Sequence, residues 1–241
     1  MRKRGISLIC GILLMLGITL TVIAFFIPSK ENTLLYTFDT KSAVSIDLDL
    51  SGCDIIISRT EGDSLSVRIT DPSSKLISAY EKDGEIFITD SVSAIELLKN
   101  PFRLGYSGFS SIIFSLIRND RPLVEIFIPS DTEISSLSLD LESSSIVSDI
   151  GKCAVFSAKT KDSDLEIKTL YAESGIFRAE SSLLKLSLPF SEKEVSCLID
   201  ASECEITKNG KSDTDLDASE SALCDIFIFA RNSIISLDFG K

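Results

Sequence analysis

No histidine occurs in the 241 residues. That absence removes Ser-His-Asp and Cys-His catalysis, and with it any zinc site of mixed Cys and His ligands. Six cysteines are present, but none stands in a Cys-x-x-Cys pair. Acid is also missing from one region, because no Asp or Glu precedes Glu31. Arg2, Lys3 and Arg4 stand there alone, and the rest of the chain carries 21 basic against 36 acidic residues, a net −15. Such a body repels nucleic acid and anionic headgroups, so no nucleic-acid partner is expected. With 44% hydrophobic residues the composition is that of a folded protein, long enough for one large domain or two small ones.

The first feature that is present is a run of 25 uncharged residues, Gly5 to Ser29. About 20 apolar residues cross a bilayer core of roughly 30 Å, so the run predicts one transmembrane helix over 5–29. A cleaved signal peptide has a shorter apolar core, about 7–15 residues, ending in a small-x-small site. Ala24-Phe25-Phe26-Ile27-Pro28 offers no such site. The basic flank then places residues 1–4 in the cytoplasm and 30–241 outside. The expected localisation is the cell membrane, single-pass, with the membrane itself a partner through that helix.

After Lys30 a strand period takes over. "AVSIDLDL" sets Val44, Ile46, Leu48 and Leu50 on one face, and "SLSVRIT", "GEIFITD", "LVEIFIP", "DLEIKTL" and "CDIFIF" repeat the pattern. Many short alternating segments parted by Ser, Asp, Gly and Lys predict an all-β protein. "DASECEI" at 200–206 and "ESALCDI" at 220–226 echo each other, which raises the question of a cysteine site. Aligning small residues at 144, 163, 182, 202 and 222 gives steps of 19, 19, 20 and 20. In that frame Cys204 and Cys224 fill the slot that Ile146, Leu165 and Leu184 fill elsewhere, so they read as core. The regular step predicts a right-handed parallel β-solenoid with coils of about 20 residues. Glu142, Glu180, Asp200 and Glu220 would form an outward acidic ladder interrupted by Lys161. An antiparallel β-sandwich is the competing architecture.

The stretches "VSIDLDLSGCDIIIS", "GDSLSVRIT", "KDGEIFITD" and "VEIFIPSDTEISSLSLDLESSSIVSDI" resemble the bacterial putative-adhesin family. The resemblance covers roughly residues 40–240 and is one of pattern. Serines and cysteines replace the Gly-rich corner frequent in that family. It implies a membrane-anchored extracytoplasmic β-solenoid with an envelope-associated, non-enzymatic role, and it transfers no site residue.

Candidate sites are few. Five cysteines follow Cys10, and stacked Cys204 and Cys224 would point the same way, a poor geometry for a disulfide. Buried free thiols are expected instead. Asp213, Asp215 and Asp217 alternate and could bind calcium, but they lack the Gly and bidentate Glu of a calcium loop. No catalytic, cofactor-binding or metal site is assigned. An irregular insertion over 96–121 is aromatic and basic within an acidic body. Phe102, Arg103, Tyr106, Phe109, Phe114 and Arg118 form the expected interaction surface; covering an exposed end of the fold is the alternative role. The expected function is a membrane-anchored envelope interaction or scaffold protein, adhesin-like, extending to an accessory of envelope sensing, with a protein or glycan partner and no cofactor. The alternative is a carbohydrate-active enzyme acting on envelope polysaccharide through convergent Asp/Glu and Arg/Lys in a groove.

Overall fold

A computed structural model of the chain describes residues 15, 32–39, 44–71, 77–90, 121–212 and 222–240. All sixteen of its strands join one sheet. The first six are β1 (Asn32–Phe38), β2 (Val44–Ser51), β3 (Asp54–Thr60), β4 (Leu65–Asp71), β5 (Ile77–Lys82) and β6 (Glu85–Asp90). Next come β7 (Leu123–Pro129), β8 (Ile134–Glu142) and the two long strands β9 (Ser145–Lys161) and β10 (Asp164–Glu180). The remainder are β11 (Leu183–Leu188), β12 (Val195–Ser202), β13 (Glu205–Lys208), β14 (Lys211–Ser212), β15 (Cys224–Arg231) and β16 (Ile234–Phe239).

The all-β expectation holds, and the alternation named in the sequence is the alternation of burial. Val44, Ile46, Leu48 and Leu50 are all buried, with Ser45, Asp47 and Asp49 between them turned outward. One face of each strand thereby enters a single apolar core of Ile, Leu and Val.

The solenoid expectation is corrected. The sheet is mixed: β1 with β4, β4 with β7, β5 with β6 and β13 with β14 all pair antiparallel. No single step relates the parallel strands either. Asp164 lies beside Ser145 and Leu183, but Leu183 lies beside Ile234, and Asp54 lies beside both Leu123 and Ser145. The frame of 19 residues is real from β9 to β11, where burial repeats with the turn, and is broken because the C-terminal β15 inserts between β10 and β12. Handedness and coil length have no meaning for such an order.

The anchor expectation is corrected too. Among the described residues no helix is long and apolar enough to cross a membrane, so the transmembrane helix and the single-pass localisation built on it find no support. Apart from Met15, the run 5–29 lies outside the described residues, as do 1–4.

Small residues do form a column, though a different one. Ser144, Ser163, Ser182 and Ser233 are buried side by side. Each hydroxyl donates to the carbonyl two residues earlier, on Glu142 (3.0 Å), Lys161 (2.7 Å), Glu180 (2.7 Å) and Arg231 (2.8 Å). Each also accepts from the next backbone amide: Cys53 N to Ser144, Ser144 N to Ser163, Ser163 N to Ser182 and Ser182 N to Ser233, at 3.1–3.2 Å. Cys53 and Cys204 end the column with the same local bond, Sγ to the carbonyls of Ser51 and Ser202. The residue before each member has positive φ: Gly52, Ser143, Asp162, Ser181, Asn232 and Glu203. The chain turns sharply at each, and the following side chain replaces the backbone partners that the turn removes.

Near the other end of these strands Arg59 binds four carbonyls. Its Nε donates to Ile150 O (2.7 Å), and its terminal nitrogens to Pro129 O, Thr132 O and Lys152 O. The guanidinium thereby joins the ends of β3 and β7 to the middle of β9, where Gly151 takes φ +68°.

Candidate ligand-binding face

Parallel pairing lines up the outward residues of β2, β8, β9, β10, β15 and β12 in columns. One column runs Asp49, Asp140, Lys159, Arg178, Phe229, Asp200. A second, two residues on, runs Ser51, Glu142, Lys161, Glu180, Arg231, Ser202. Between them lie Thr160, Ala179 and Ala230, turned inward and small. Two ridges of long side chains thus flank a low floor, making an open groove of about 440 Å³.

Charge along the ridges follows the strand order. Lys159 pairs with Asp140 at 2.7 Å and Lys161 with Glu142 at 3.1 Å, and these carboxylates hold both lysine ammoniums above their ordinary values. Such exposed pairs contribute little stability. Burial, with Asp140 and Asp47 beside it, raises the Asp49 carboxyl. Further along, Arg178 lies 5.7 Å from the centre of the Phe229 ring, a cation–π contact. Neither Arg178 nor Arg231 has a salt bridge among the described residues. A third column, Ser157, Ile176, Phe227, Leu198, brings exposed apolar surface beside them. The face therefore runs from acid, through paired lysine, to arginine and exposed aromatic, with Glu180 and Asp200 among them.

The predicted acidic ladder is corrected by this register. Glu142, Lys161 and Glu180 do stand in one column, but Arg231 follows them, Asp200 belongs to the neighbouring column, and Glu220 lies outside the described residues. Alternating sign replaces like charge. The expected surface of Phe102, Arg103, Tyr106, Phe109, Phe114 and Arg118 lies outside the described residues, as do Asp213, Asp215 and Asp217. The structure therefore places none of these nine. Among the described residues no group of three metal-ligating side chains occurs.

Among the described residues no disulfide occurs, and Cys53, Cys153, Cys197 and Cys224 are buried. Burial pushes three thiols up, Cys153 to about 11, Cys197 to about 12 and Cys224 to about 11, so they are inert as nucleophiles near neutrality. Cys204 and Cys224 are not stacked. Cys224 begins β15 opposite Val195, the first residue of β12, whereas Cys204 occupies the corner column after β12. The echo of "DASECEI" and "ESALCDI" joins two positions with different neighbours.

Sequence reasoning missed the groove because Arg231 and Phe229 reach it only through the insertion of β15. A signal was present. "ESS" at 142, "KDS" at 161, "ESS" at 180 and "RNS" at 231 share a charged residue, a polar positive-φ residue and a corner serine.

No family model matches the chain, and no curated protein does. Its structural neighbours are putative adhesins and a lipid-binding protein. A putative cell adhesion protein from Clostridium sporogenes shares 13% identity over 87% of this chain and 100% of its own, with a TM-score of 0.55. A putative adhesin from Bacteroides fragilis shares 12% identity over 88% of this chain and 98% of its own, TM-score 0.35. A putative lipid binding protein from Parabacteroides distasonis shares 12% over 87% and 97%, TM-score 0.30. At 13% identity the likeness to the Clostridium sporogenes protein is one of fold.

Proposed function

We propose that the chain is a non-catalytic, adhesin-like binding module that holds an anionic envelope glycan against the groove of β9, β10, β15 and β12. The observation that carries this reading is the pair Arg178 and Arg231, which make no salt bridge among the described residues, with Phe229 and the exposed Phe227 and Leu198 on the Arg178 side, within an otherwise acidic protein. An unpaired guanidinium offers a planar fork to a carboxylate or sulfate, and the Phe229 face beside it suits a sugar ring. The fold of the Clostridium sporogenes cell adhesion protein supports the same class. Long flat faces of this kind bind extended polymers through many weak contacts.

Catalysis fits the groove less well. Glu180 and Asp200 stand two strands and two residues apart, about 12 Å by strand geometry, and both are exposed on an open face. A glycosidase acid needs a water-poor setting that keeps its proton. Immobilised polygalacturonate, with dextran as the neutral control, tests the reading. The chain should be retained by the uronate polymer, lose at least about tenfold in affinity with Arg178→Ala and Arg231→Ala together, and release no reducing ends. Equal retention of that variant would refute the groove, and released sugar would refute the non-enzymatic role.

A further inference from the structure

Among the described residues, β12 has a single neighbour, β15. Its other edge has no partner strand among the described residues. The direction of its free groups follows from two bonds, because Asn232 N donates to Ser202 O and Leu223 N donates to Glu194 O. Even-numbered carbonyls thus face β15. In a parallel ladder the N–H and C=O of one residue point the same way, so Val195, Cys197, Ile199 and Ala201 present theirs to the open side. The core beneath is also incompletely covered here, since Ile199, Ala201, Cys204 and Ile206 pack on it while only partly buried. Leu198, turned outward, is 57% exposed. Open edges of this length and composition are normally blocked by charge or proline. Within Val195–Ser202 there is no proline, and Asp200 is the single charge.

We propose that this edge pairs antiparallel with the same strand of a second copy of the chain, about a two-fold axis at Leu198. That register is self-complementary in three ways. Val195 meets Ala201 and Cys197 meets Ile199, the residues whose polar groups point outward, giving about eight backbone bonds across the seam. Leu198 meets Leu198, and Asp200 meets Ser196 instead of another carboxylate. The next register that keeps the faces matched sets Leu198 against Asp200, and a shift by one residue turns the apolar face to water. The partner that fits is therefore a second copy, and pairing doubles the groove face for a polymeric ligand.

The test uses the full chain in nonionic detergent, needed for the uncharged run 5–29, on a Cys204→Ser background. Leu198→Cys should be joined to its counterpart rapidly by a short bis-maleimide. Phe227→Cys, on the same face but one strand inward, should react at least about tenfold more slowly. Equal rates would overturn the proposal. Sedimentation of the unmodified chain should show dimers, and Leu198→Lys, which puts two ammoniums on the axis, should show monomers with unchanged thermal melting. A monomeric parent, or a lysine variant as dimeric as the parent, would equally overturn it.

Discussion

The two ends of this sheet are finished differently. At one end antiparallel strands close the core: β4 lies between β1 and β7, and β5 backs β6. Leu65, Val67, Ile69 and Ile88 there have no exposed surface. At the other end β12 and β13 are the last layer among the described residues, β13 pairs with β16 on one side and only the short β14 on the other, and Ile199 and Ile206 stay partly exposed. The corner column runs from the turn before β3 to the turn before β13 and ends in a cysteine at each side. Cys53 is 1% exposed, while Cys204 is half-buried. The difference teaches that the repeating corner sets local geometry but does not protect the core; antiparallel capping does.

The largest effect that could break this comparison is core truncation. Ile69→Ala should cost about 3–4 kcal/mol in denaturant melts, because the closed end leaves a cavity. Ile206→Ala at the open end should cost about 1 kcal/mol, since water already reaches it. Equal costs would abolish the distinction. Next in size is the corner column. Ser163→Ala removes a hydroxyl that donates to Lys161 O and accepts from Ser144 N, and should cost about 1–2 kcal/mol. Cys204→Ala, whose thiol makes one weak bond near solvent, should cost under about 0.5 kcal/mol in the same assay.

Thiol labelling sharpens the contrast kinetically. Of the five cysteines after residue 50, Cys204 should react with a maleimide in the native protein, and the others only on unfolding. Labelling of Cys197 as fast as Cys204 would show that the last layer opens as a unit. The smallest effect is electrostatic. Burial raises the Asp90 carboxyl, despite the amide of Ser51 that donates to it. The folded chain then holds this proton to higher pH than the unfolded chain does. Stability from this group is therefore present at low pH and declines as pH rises from the ordinary Asp value of 3.8 through the raised one. Asp90→Asn should flatten that slope, read as melting temperature against pH.

Much of this architecture was legible from residues 44–188. Strict alternation in "VSIDLDL" fixed strand, face and core together, and the 19-residue step fixed the neighbours of β9, β10 and β11. Legibility ended at Ser182. Its neighbour is Ser233, not Ser202, because the chain makes β12 and β13 before returning to fill the gap with β15 and β16. A periodic sequence reports the spacing of turns, whereas the order in which layers are laid down is a property of non-local pairing. The groove inherits that ambiguity, since Lys159, Arg178 and Phe229 touch only once the strand order is known. The thiol echo misled for a related reason: similar local sequence served a corner in one copy and the buried start of a strand in the other.

Residue-resolved amide exchange on the Leu198→Lys chain tests the open end most directly. The account predicts alternation along β12, with the amides of Cys197 and Ile199 exchanging freely while those of Leu198 and Asp200, bonded to β15, stay as slow as Val67 and Ile69. Uniform protection from Val195 to Ser202 would contradict it.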